Sequence, residues 1–377
     1  MKNIRFTTIL RFFSFVILLS LLSCTDHNSN NSIIPKNIRT LVLSEGEFSR
    51  GTGSISILTH DHVVLNDVFR KTNKRPLGDV PQSIKKIGEN YYVPVNNSRK
   101  IEVIDAETFE SVETMLINFS IIPMFVEHLG GDSIVVTDQS SAAIAGAPNT
   151  SSLTIMDINH GVDRDYVRRR IKIDNPTFGV KLVGNKLFVV SATLLVFDLD
   201  NLDRESMREV KDNDGKTFQM SDFTEINIDK NGMMWVLTLD GIKCIDPTLE
   251  KVVKDFPIKN INYRISRLVI DSSGENLYYN LNNSVFSLRI DDENISNEPL
   301  FTHSYDDSNW TTYGLDISNG NTIFISRVVF GSTTRSRIYE YGLDGKIVSK
   351  YKNKDGEIEN FFRAGIFSSY FYFINEN

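Results

Sequence analysis

One short phrase recurs through this chain: an apolar strand of alternating pattern that often closes on aspartate. Residues 101–105 (IEVID), 153–157 (LTIMD), 194–198 (LLVFD) and 242–246 (IKCID) carry it plainly. Residues 54–58, 284–289 and 337–341 are weaker copies. Aligned on the position of Asp105, successive copies lie 46, 52, 41, 48, 43 and 53 residues apart. Short strands at that period fit the four-stranded blades of a propeller. A sandwich of ordinary hairpins is the competing architecture, and seven similar units disfavour it.

Each phrase has a partner upstream, a glycine- or asparagine-rich turn followed by a second apolar strand. Residues 88–93 (GENYYV), 184–189 (GNKLFV), 231–236 (NGMMWV) and 320–325 (GNTIFI) are examples. Glycine and asparagine supply the positive φ that tight hairpins need. A blade therefore reads as strand a, tight turn, strand b, loop, strand c, turn, strand d. The first copy has b at 40–43, c at 53–58 and d at 63–69, but no a. The C-terminus offers the aromatic strand 370–374 (YFYFI) with no c or d after it. Pairing the two removes two free sheet edges at once. The expected fold is all-β: a seven-bladed β-propeller with four-stranded antiparallel blades, closed by the C-terminal strand completing the N-terminal blade.

The chain opens with Lys2 and Arg5, runs apolar from Phe12 to Leu22, and reaches Leu-Ser-Cys24. That run is shorter than the roughly 20 apolar residues of a membrane span. A basic start, a short apolar core and a small residue before cysteine resemble a bacterial lipoprotein signal. The resemblance implies cleavage after residue 23 and lipid on Cys24. The expected divisions are a signal at 1–23, an Asn/Ser-rich tether at 24–38 and the propeller at 39–377. Only one other cysteine, Cys244, is present, and it lies in a c strand as a small hydrophobe. The formal net charge of −7 argues against a nucleic-acid partner.

Propeller topology sorts the loops by face. Connections d-to-a and b-to-c share one face; a-to-b and c-to-d share the other. The long loops fall on the first: 45–52, 71–81, 96–99, 139–150, 211–222, 260–264, 306–312, 330–335 and 359–367. They carry Phe48, Tyr263, Trp310, Phe330 and Phe362. Variable loops on a rigid scaffold are where binding sites concentrate; packing of these aromatics onto the rim is the alternative for each one. The aspartates ending strand c are expected to accept main-chain N–H groups two residues on and so to shape turns.

No catalytic pattern emerges. There is no Gly-x-Ser-x-Gly elbow and no phosphate loop, and the six histidines do not gather as a metal set. His60-x-His62 is a minimal metal signal. Residues 212–215 (DNDG) look like the start of a calcium loop but lack its closing glutamate, so a turn is the better reading and calcium stays an open alternative. The chain is expected not to be an enzyme and to need no cofactor.

Residues 43–48 (LSEGEF), 77–83 (LGDVPQS), 95–105 (VNNSRKIEVID) and 365–373 (GIFSSYFYF) resemble YncE-like surface lipoproteins of Bacteroides. Family members usually have Asn where Ser44 stands. The group includes seven-bladed lipoproteins that capture vitamin B12 over a TonB-dependent outer-membrane transporter. The resemblance implies an outer-membrane, cell-surface lipoprotein that captures a corrinoid and hands it to such a transporter. Candidate ligand-binding residues are then Phe48, Tyr263 and Trp310 for apolar parts, and Arg75, Asn97 and Arg264 for amides and phosphate. The alternative is a protein-interaction scaffold without a small ligand. Asp132-Ser133-Ile134 resembles an O-glycosylation site of Bacteroides proteins, with Ser133 as acceptor.

Overall fold

Strands b and c of most repeats are largely apolar because both of their faces are packed against neighbouring sheets. In the first repeat Leu41, Val42, Leu43, Ile55, Ile57 and Leu58 are all buried. A strand flanked on both sides by other sheets has no solvent face to mark with polar residues. The computed structural model describes residues 34–117, 121–142, 149–159, 166–262, 264–303, 309–353 and 355–374. Lys36–Asn377 form one compact unit. The described residues form seven four-stranded antiparallel sheets and one two-stranded hairpin.

Blade 1 has b at Ile38–Ser44, c at Ser54–Thr59 and d at Val64–Leu65. Its strand a is the C-terminal Ser368–Phe373, with Leu41 opposite Tyr372 and Leu43 opposite Tyr370. The two ends of the chain thus close the ring, as the missing and surplus strands required. Blades 2 to 6 follow with innermost strands Lys85–Ile87, Pro123–Gly130, Val180–Val183, Asn227–Ile228 and Leu268–Ile270. Blade 7 starts at Thr311–Ile317. The chain is all-β, a seven-bladed propeller, with hydrophobic clusters lying between successive blades.

Closure is reinforced by charge. Arg39 on strand b of blade 1 forms an ion pair with Glu340 on strand c of blade 7, Arg337–Tyr341. Glu340 also accepts from the hydroxyls of Thr322 (2.7 Å), Tyr351 (3.0 Å) and Ser349. Gly365 runs against the other side of the seam, where a Cβ would overlap Ser44 and Ser54.

Three local expectations need correction. Strand d of blade 1 stops at Leu65 instead of running to 69; Asn66 accepts from Ser56 Oγ and donates to Arg363 O, turning the chain away. A short helix, Val68–Asn73, follows, burying Val68 and Phe69. In blade 7 a hairpin of Tyr351–Lys352 with Ile358–Glu359 precedes strand d, and Phe362 belongs to that strand, buried, instead of to an open loop.

Candidate functional site

The turn aspartates behave as backbone caps. Asp105 accepts from the N–H groups of Glu107 (3.0 Å) and Thr108 (2.8 Å), Asp157 from Asn159 (2.9 Å), and Asp246 from Thr248 (2.8 Å). Asp198 departs from the pattern and pairs with Arg208. Asp212 accepts from the N–H groups of Asp214 and Lys216, which is a turn. Among the described residues no three His, Cys, Asp or Glu side chains are grouped to hold a metal ion. No described helix is long and apolar enough to cross a membrane.

Of the residues singled out in the long loops, Phe48, Arg75, Asn97, Arg264 and Trp310 do not line the axial cavities. Phe48 is 73% exposed on the 45–53 loop. Asn97 lies close to that loop through Asp79, whose carboxylate accepts from Asn97 Nδ2 and from Ser49 N–H (2.8 Å). Asn97 is therefore a tie between loops, with its amide already engaged. Arg75 lies towards the outer strands of blade 2: it pairs with buried Glu102 at 2.5 Å, bonds Ser111 Oγ, and covers the Phe69 ring at 5.0 Å. Trp310 is buried, with the Arg337 guanidinium 4.1 Å above its ring. Arg75 and Trp310 thus have structural occupations, because long side chains at a blade edge pack most readily on the neighbouring strand. Arg264 is exposed, its N–H bonded to Asn262 Oδ1. Ser133 is half-buried beside the exposed turn residues Gly131 and Asp132, and its hydroxyl accepts from Arg168. Cys24 and Tyr263 lie outside the described residues.

What does converge is the axis. Innermost strands and the segments leading into them surround two adjoining cavities of about 120 and 200 Å³. The first is lined by Glu45, Phe223, Glu225, Arg267, Tyr313, Asp316 and Tyr370, among others, on the side of blades 5, 6, 7 and 1. Glu45, Phe223 and Arg267 sit on long-loop connections or at their ends, so topology opens this cavity towards the long-loop face. The second is lined by Lys85, Glu127, Lys181, Glu225, Tyr370 and Tyr372, on the side of blades 2 to 5. Phe125, Glu225 and Tyr370 border both. Gly179 shapes the wall: a Cβ there would overlap the carbonyl of Thr224 in the next blade.

Charge along this axis is unevenly paired. Lys85 and Glu127 form an ion pair at 2.8 Å. Glu45 accepts from Tyr313 OH at 2.9 Å, and the Tyr313 ring meets Phe330 and Phe367 edge-on at 5.7 and 6.0 Å. Arg267 gives its Nη1 to the main-chain carbonyls of Arg264 and Ser266, both at 3.1 Å, and makes no ion pair with a described carboxylate. Burial pushes the Glu45 carboxyl above its ordinary range. Asp316 is raised further, by burial first and then by the negative charge of Glu225. Sequence reading passed over these residues because each stands singly beside or inside an apolar strand. The available signal was a charge on the innermost strand, or leading into it, in successive blades: Lys85, Glu127, Lys181, Glu225, Arg267 and Asp316.

No protein-family model and no curated protein matches this sequence. Solved structures match by shape. The Cps50 (Swd1) β-propeller domain of Myceliophteria thermophila is 14% identical with a TM-score of 0.52, over 71% of this chain and 85% of that one. Hydrazine synthase of Kuenenia stuttgartiensis is 15% identical with a TM-score of 0.49, over 68% and 76%. Virginiamycin B lyase from Staphylococcus aureus is 10% identical with a TM-score of 0.46, over 75% and 84%. At these identities the likeness is one of fold. The match to the Cps50 propeller places the chain among the β-propellers.

Proposed function

We propose that this chain is a lipid-anchored, non-catalytic propeller of the YncE-like kind that captures a ligand on its long-loop face. The supporting observation is the axial cavity at that face, rimmed by Phe223 and the Tyr313–Phe330–Phe367 ring cluster. Phe48 and Phe330, 73% and 55% exposed, add apolar surface on long loops. The leading ligand is a corrinoid, and the receiving partner a TonB-dependent transporter of the outer membrane. A cavity of about 120 Å³ does not admit a corrin ring. Such a ligand would lie across the mouth, against exposed aromatics and Arg264, and leave the axis beneath it. The same exposed aromatics also favour a second reading, a docking scaffold for a protein partner.

Titration calorimetry of the purified protein with cyanocobalamin and its biosynthetic precursor tests the capture reading. Saturable binding that weakens in Phe330→Ala supports it. No heat with either corrinoid, together with stoichiometric co-purification of a protein partner, replaces it with the scaffold. Lipid anchoring at Cys24 has its own test: Cys24→Ala should leave the signal uncut, and normal cleavage with membrane retention would contradict it. Glycosylation at Ser133 predicts an intact mass above that of the bare lipoprotein, restored to it by Ser133→Ala.

A further inference from the structure

Six of the seven blades place one charged side chain on the innermost strand or just before it, bordering the axial cavities. In blade order these are Lys85, Glu127, Lys181, Glu225, Arg267 and Asp316, and their signs alternate without a break. Lys85, Glu127, Lys181 and Glu225 border one cavity; Glu225, Arg267 and Asp316 border the other. Lys85 Nζ lies 2.8 Å from the Glu127 carboxylate, and Glu127 is buried. Blade 1 is the exception, presenting Tyr370 and Tyr372. Seven is odd, so strict alternation cannot close on itself. A cation on blade 1 would neighbour Lys85, and an anion there would neighbour Asp316. Neutral tyrosine avoids both, on the blade that is assembled from the two ends of the chain.

A lone exposed ion pair contributes little to stability, whereas charges joined in a network contribute together. Each of the four interior members, from Glu127 to Arg267, has an opposite charge on both neighbouring blades. Asp316, the last member, is the one at which burial dominates. We propose that these six side chains form one electrostatically coupled ring that holds neighbouring blades in register at the axis. The ring is a conformational device of the fold, independent of what the long-loop face captures.

The test is a set of charge reversals in the full-length protein, read as urea midpoints near neutral pH, at low salt and in about 1 M NaCl. Lys181→Glu sets three anions side by side on blades 3 to 5, and Glu225→Lys sets three cations on blades 4 to 6; each should lower the midpoint. The two together keep one opposite contact between blades 4 and 5, so their joint loss should be close to that of either alone and well short of the sum. Lys181→Glu joined to Glu107→Lys, which reverses an exposed turn residue away from the axis, should instead give the sum. The losses should shrink in high salt. Where a reversal gives no cooperative transition, Lys181→Met, Glu225→Gln and their combination carry the same test, with a joint loss again below the sum. Full additivity of the Lys181 and Glu225 changes, or losses that salt leaves untouched, would overturn the proposal.

Discussion

Asp105 and Asp316 carry the same side chain into opposite environments. Asp105 is turned to solvent and held ionised, first by the Thr108 N–H. Its place at the end of a repeated strand made that role legible from sequence, because an aspartate two residues before a turn N–H needs only local geometry. Asp316 faces the axis, and its role depends on what six other blades bring near it, which no local pattern reveals. Its raised pKa means that the folded state holds a proton the unfolded chain would release. Stability from Asp316 is therefore full below the ordinary carboxylate pKa and is lost as pH rises through the raised value. Asp316→Asn, which keeps the acceptor for Ile317 N–H, should stabilise the protein at neutral pH on the order of 1 kcal/mol and flatten the fall in stability that begins above the ordinary carboxylate pKa. Urea midpoints across pH for the two proteins check this; a variant less stable at every pH would contradict it. Glu340 has the reverse sign. Burial tends to raise its carboxyl, but Arg39, Ser349 and Thr322 together hold it below the ordinary value. Its contribution is present above the unfolded carboxylate pKa and is lost as pH falls through the lowered one. Arg39→Ala, which strands a buried carboxylate, should cost about 3 kcal/mol at pH 7 and less below about pH 4.

At the scale of elements, strands b and c were read within a residue or two, since their apolar runs are long and the bounding turns carry glycine and asparagine. The c strands Leu194–Asp198, Ser284–Arg289 and Arg337–Tyr341 stand where the repeat put them. Outer strands were read less well. Val64–Leu65 and Phe362–Arg363 are two residues each, too short for alternation to show, and Val68–Phe69 continue an apolar pattern into a helix. Close backbone approaches were likewise invisible in the sequence. Gly179 and Gly365 look like ordinary loop glycines, yet each meets a neighbouring blade. Gly365→Ala should force Ser44 and Ser54 apart at the seam and cost about 1–3 kcal/mol, the usual range for overpacking. Denaturant unfolding measures it, and an unchanged midpoint would show that the seam yields freely.

For the whole molecule, the ring was legible because the two ends lack complementary parts, whereas the axial site was not, because it is assembled from single residues far apart in sequence. Deleting residues 369–377 removes the inner strand of blade 1 and exposes the free edge of Ile38–Ser44. The truncated chain should unfold at lower denaturant, with a loss felt across the ring. On the capture reading, ligand enters from the long-loop face over the axis. Amide hydrogen exchange on the full-length protein, with and without saturating cyanocobalamin, is the decisive measurement. Protection should appear in peptides covering 45–52, 222–227, 264–268, 329–335 and 365–370, and the a-to-b turns near Gly88, Gly184 and Gly274 should be unaffected. Protection confined to those turns, or none anywhere, would contradict it.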